Sequence, residues 1–117
     1  MRRQVRFAEA LAHDFVGLER SSALMRQFAA AAESEGLPLR IRVQVRSFDG
    51  MCRLVAAGAG LGVLPRAAAT PHVASMRLRV IALGEPWAQR RELHLGCRDF
   101  DALSPAAGAL ATLLRQD

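Results

Sequence analysis

"SFDGMCRLVAAGAGLGVLP", Ser47 to Pro65, ends an apolar-rich run with glycines at 58, 60 and 62. Glycines at this density often cradle phosphate, but the order of the elements argues against it. A dinucleotide-binding turn runs strand, G-x-G-x-x-G, then helix, because the phosphate rests on the N-terminus of the helix that follows the glycines. Here the helix comes first. Ser47 is placed to start it, Met51, Leu54 and Val55 form its inner face, and Gly58 is placed to stop it. Gly60 and Gly62 then turn the chain into the apolar segment "GVLP". The spacing G-A-G-L-G is not the fingerprint, and a Walker lysine cannot exist in a chain without lysine.

Outward from this stretch the chain alternates strands and helices. Upstream, "RIRVQVR" (Arg40 to Arg46) has Ile41, Val43 and Val45 facing one way and polar residues the other, the pattern of a half-buried strand. Before it, "RSSALMRQFAAAAESEG" has Ser21 or Ser22 as N-cap, Leu24, Phe28 and Ala32 on one face with Met25 and Ala29 beside them, and Gly36 at the stop. "HDFVGL" (His13 to Leu18) reads as a short buried strand after a helical turn at "FAEAL". Downstream, Pro65 is expected to start a short helix that Pro71 closes. "LRVIAL" (Leu78 to Leu83) and "ELHLGCR" (Glu92 to Arg98) read as strands joined by the polar connector "GEPWAQRR". Ser104 and Pro105 open a terminal helix striped by Ala106, Leu110, Leu113 and Leu114. This alternation predicts an α/β fold with much parallel pairing.

Composition narrows the function classes. At 117 residues and 51% hydrophobic, the chain suits about one domain with a real core. No apolar run approaches the ~20 residues that span a bilayer, and Glu9, His13 and Asp14 interrupt the basic start before any signal-peptide core. A cytoplasmic protein without membrane contact is expected. The net charge is +5, but every basic residue is arginine, scattered through an alanine-rich chain with few aromatic residues. That composition favours a solvated basic surface over nucleic-acid contact by this segment. Cys52 and Cys97 stand alone, without metal-ligand spacing, and no metal or cofactor is expected. Asp49, Glu85, His94 and Asp99 form no catalytic constellation, and "SFDG" is not a nucleophile elbow. The chain is not expected to be an enzyme.

One arrangement points to a ligand. Ser21 and Ser22 follow one strand and Ser47 another, so two helix N-termini stand at the carboxyl ends of neighbouring strands. Their unpaired N–H groups and dipoles favour an anion the size of a carboxylate. The plainer role of each serine is a cap with water as its guest. Arg46 and Arg66 flank the presumed cleft, as partners of an acidic effector or as exposed surface, and Trp87 suits packing at a hinge.

In chain order, "HDFVGLERSSAL", "VQVRSFDGMCRLVAAGAGLGVLPRAAA", "LRVIALGEPWAQRRELHLGCRD" and "SPAAGALATLLR" resemble the effector-binding domain of LysR-type transcriptional regulators over nearly the whole chain. The resemblance implies a type-2 periplasmic-binding-protein-like fold, two α/β lobes with a small effector in the cleft between them. It assigns residues 1–87 to the second lobe and 88–117 to the hinge strand and terminal helix returning to the first. The family's pocket contacts carry over onto Ser21, Ser22, Ser47, Phe48, Gly62, Val63 and Leu64. It also implies a homodimer, through the Leu24–Phe28 helix or the terminal helix, and DNA binding only through a winged helix-turn-helix outside this sequence. A truncated dimerisation remnant and a free-standing solute-binding protein are the alternatives.

Overall fold

The computed structural model describes residues 4–98. The predicted terminal helix from Ser104 lies outside them. Six strands and five helices alternate: β1 (Gln4–Val5), α1 (Phe7–Ala10), β2 (Phe15–Gly17), α2 (Ala23–Ser34), β3 (Ile41–Gln44), α3 (Phe48–Ala56), β4 (Gly62–Pro65), α4 (Arg66–Val73), β5 (Arg79–Leu83), α5 (Pro86–Gln89) and β6 (Leu93–Cys97).

Hydrogen bonding groups the strands as β1-β5-β6-β4 and β3-β2. A parallel bridge between Phe15 and Leu61 joins the two groups, with Leu61 N–H donating to Asp14 O at 2.9 Å and Val16 N–H to Leu61 O at 2.8 Å. The spatial order is therefore β3-β2-β4-β6-β5-β1. The β1–β5 and β2–β3 pairs are parallel, while β6 runs antiparallel to both β4 and β5. The expected parallel character thus holds with one strand reversed. Alternation of apolar residues marks a strand's faces but carries no information about its direction.

The sheet has a core on each side. Val5, Phe15, Leu61, Val63, Leu83, Leu93 and Leu95 pack against Phe7 of α1, Leu24 and Phe28 of α2, and Ala88 of α5. On the other side Val16, Leu64 and Leu78 meet Met51, Cys52 and Val55 of α3 and Ala69 of α4. Each helix follows a strand of the shared direction, so all five begin at the same, carboxyl edge of the sheet.

Local chemistry sets the ends of the helices. Ser22 Oγ accepts from Met25 N–H at 3.1 Å, and Ser47 Oγ from Gly50 N–H at 3.0 Å. Both capped helices end on a left-handed glycine, Gly36 (φ +68°) and Gly58 (φ +88°). At each, paired return bonds satisfy the last carbonyls, Gly36 N–H to Glu33 O with Leu37 N–H to Ala32 O, and Gly58 N–H to Val55 O with Ala59 N–H to Leu54 O.

Two expectations change. Pro65 ends β4 and caps α4 rather than opening it, and Pro71 lies inside that helix rather than closing it. Proline at 71 removes one ladder bond. The turn persists because Ala69 is buried and His72 Nε2 lies 3.4 Å from Asp49 Oδ1 on α3. The "GEPWAQRR" connector also contains α5, whose Trp87 ring meets Phe7 edge-on at 5.4 Å and Phe28 at 6.0 Å.

Candidate functional site

The strand order places a topological switch between β2 and β4. From β2 the chain moves outward to β3 through α2, then crosses back over β2 to β4 through α3. In open α/β sheets the crevice outside the carboxyl ends of strands at such a switch is where ligands sit. Ladder contact between β2 and the segment leading into β4 is made at Leu61, ahead of β4 itself. Beyond it β4 pairs with β6, and Gly17 O accepts from Val45 N–H at 2.8 Å on the β3 side.

The carboxyl ends of β2 and β3 are aligned, with Gly17 opposite Gln44. Ser22 and Ser47, which follow these ends, therefore open α2 and α3 at one edge of the molecule. Each serine hydroxyl satisfies one of its helix's free N–H groups, and the remaining first-turn groups keep a positive field at that edge. Ser21 is exposed, and its carbonyl accepts from the Arg26 guanidinium. Phe48, half-buried at the first position of α3, packs against both cores. It anchors the α3 N-terminus where the two sides of the sheet meet.

Gly62, Val63 and Leu64 are buried strand residues. Val63 points into one core and Leu64 into the other, and a Cβ on Gly62 would lie 2.9 Å from Met51 Sδ. They form the strand behind the edge, while Ser21, Ser22, Ser47 and Phe48 stand at it.

One further contact ties the edge together. Arg46 Nε lies 3.5 Å from Glu19 Oε1, linking the turn after β3 to the turn after β2 immediately ahead of the two capping serines. Both side chains are exposed, so this pair adds little stability, but it joins the two helix starts. No pattern in the sequence marks Glu19 as that partner. Arg20 and Arg66 add charge at the same edge.

A cavity lies beside this edge. It is an open groove of about 760 Å³ between α2 and β3, lined by Arg20, Met25, Arg26, Ile41, Arg42 and Val43 among others. None of the seven residues expected from the sequence lines it.

Other reactive groups sit apart from the site. Burial, and secondarily Asp49, pushes the Cys52 thiol up, so it is poorly suited to act as a nucleophile. Among the described residues, no cluster of three or more His, Cys, Asp or Glu side chains could hold a metal ion. Nor is any described helix long and apolar enough to cross a membrane.

The pattern of the LysR substrate binding domain matches residues 2–117. This chain belongs to the LysR substrate-binding-domain family. Its fold is accordingly of the type-2 periplasmic-binding-protein kind, and the six-stranded mixed sheet is part of such a domain. A solved structure, the effector binding domain of QuiR in complex with shikimate, superposes with a TM-score of 0.62 at 18% sequence identity. The match covers 97% of this chain and 53% of that one, so the LysR-family chain described here spans about half the length of that domain. No curated protein matches it significantly.

Proposed function

We propose that this LysR-family chain is the ligand-sensing part of a transcriptional regulator, binding a small anionic effector at the carboxyl edge of its sheet. The observation that carries this reading is the alignment of the Ser22 and Ser47 helix caps on parallel neighbouring strands, beside the switch between β2 and β4. Two helix N-termini with Arg20, Arg46 and Arg66 nearby favour a carboxylate. Ser21, Ser22, Ser47 and Phe48 are the contacts, and Gly62, Val63 and Leu64 hold the strand behind them. That QuiR's effector binding domain is found with shikimate, a small carboxylate, supports the ligand class.

In this reading residues 1–87 are the second lobe and 88–117 return toward a first lobe that supplies the rest of the cleft. Effector binding closes the lobes and alters dimer geometry, which an attached DNA-binding domain in the cytoplasm reads. Arginine-rich surface of the chain itself is not the DNA contact. The family is one of binding domains, and the proposal includes no catalysis.

The proposed homodimer cannot use the apolar face of α2. Leu24 and Phe28 are 5% and 3% exposed, packed into their own core. Among the described residues, the outer side of α2 and the edge of β3, which border the 760 Å³ groove, offer a surface for a partner, and the terminal helix, the other expected contact, lies outside them. Sedimentation at micromolar concentration tests this, and a monomer contradicts it.

A thermal-shift series with shikimate, succinate, benzoate and acetate tests effector binding, because a ligand specific to the folded state raises apparent stability. A saturable rise with at least one carboxylate, weakened by Ser47→Ala, is expected. No rise at millimolar concentration favours a dimerisation remnant that binds nothing.

A further inference from the structure

We propose that the opposite, amino edge of the sheet carries a separate site for a phosphate-sized tetrahedral oxyanion, held by Arg77, Arg79 and Arg98. A cavity of about 280 Å³ opens there, lined by these three arginines with Val73, Met76 and Leu78, and among the described residues no acidic side chain lines it. Arg79 opens β5 and stands opposite Cys97 in the ladder, which brings Arg98 beside it at the exit of β6. The capped N-termini of α2 and α3 lie at the other end of the strands.

Arg98 distinguishes this cluster from the solvated arginines elsewhere. Its guanidinium lies over Gly58 at the end of α3, so close that a Cβ on Gly58 would sit 2.9 Å from Nη1. The negative end of the α3 dipole complements part of the charge. Arg98 Nε nevertheless is buried without a hydrogen-bond partner. A buried donor left unmade costs on the order of 1–3 kcal/mol, and native structures rarely tolerate one without a purpose. Neither Arg98 nor Arg77 has an ion-pair partner among the described residues.

Guanidinium groups bind phosphate oxygens through paired, charge-assisted hydrogen bonds. A tetrahedral oxyanion presents enough acceptors for three such groups, where a monocarboxylate presents two oxygens. The cavity lies below the ~300–1,000 Å³ range usual for drug-sized ligands, which favours a small ion or the terminal group of a small metabolite.

The test is a titration of the chain with inorganic phosphate at constant ionic strength, read by thermal shift, with acetate in a parallel arm. In the Ser47→Ala background, where the carboxylate edge is weakened, phosphate is expected to stabilise saturably and acetate much less. Arg98→Gln should weaken the phosphate response by about tenfold or more, and Arg77→Gln severalfold. Ser47→Ala should leave it unchanged, which separates this site from the carboxylate edge. A phosphate effect no larger than chloride's, matched by acetate in the Ser47→Ala background, or undiminished in the arginine variants overturns the proposal. Should Arg98→Gln fail to fold by circular dichroism, the exposed Arg77 variant decides the outcome.

Discussion

Gly60 passes so close to Asp14 that a Cβ at position 60 would lie 2.7 Å from the Asp14 carbonyl oxygen. At the same place Leu61 N–H donates to that oxygen, and the bridge joins the β3-β2 pair to the rest of the sheet. The middle glycine of "GAGLG" therefore serves backbone approach between strands. Its φ of +155° adds a second reason for glycine, since side chains rarely adopt it.

Gly60→Ala should accordingly destabilise the fold by about 2–4 kcal/mol, because both clash and backbone conformation oppose it. Gly36→Ala is the comparison, with φ +68° but nothing within 4 Å of the added methyl, and should cost only about 1 kcal/mol. Urea unfolding midpoints of the two variants measure the difference. Equal losses would mean that the Asp14 approach is not what requires glycine.

Trp87 closes an aromatic cluster with Phe7 and Phe28 across α1, α2 and α5. It is partly buried, so Trp87→Ala should cost about 2–3 kcal/mol, below the usual range for a fully buried ring. Trp87→Phe should cost under about 1.5 kcal/mol. As the chain's single tryptophan, its fluorescence should change together with far-UV circular dichroism in one unfolding transition.

His13 gives the fold a pH dependence. Burial, then the nearby Arg40, holds its pKa below the ordinary value, with Asp14 opposing. The folded state keeps this ring neutral while the unfolded chain protonates near pH 6.5, so the unfolded state binds more protons below that pH. Stability from this group is complete above about pH 6.5 and falls as pH drops toward the folded pKa. Midpoints at pH 7.5, 6 and 5 should decline, and His13→Gln should flatten the decline. An unchanged slope would place the dependence on other groups.

Much of this architecture is legible in the residues themselves. Ser22, Ser47, Gly36 and Gly58 act where cap chemistry puts them, because helix termini impose local and specific demands. The alternating faces of β3 and β6 are equally plain. The reversal of β6 is not, since alternation is the same in either direction. Residues 86–89 escape notice because a four-residue helix is too short to show a period. Pro71 misleads because tertiary contacts of Ala69 and His72 outweigh one missing bond. At the site, the serines follow from spacing. The Glu19–Arg46 link depends on the register of β2 against β3, which no local pattern encodes.

The proposed effector-binding edge is formed by the aligned starts of α2 and α3. Its most direct measurement is a ¹H–¹⁵N amide titration of the chain with the carboxylate series. Saturable shifts are expected at Ser21–Ala23, Ser47–Phe48 and the end of β4 near Leu64, with Val73–Arg79 silent. Shifts absent from those amides, or gathered at Val73–Arg79 and Arg98 instead, would contradict it.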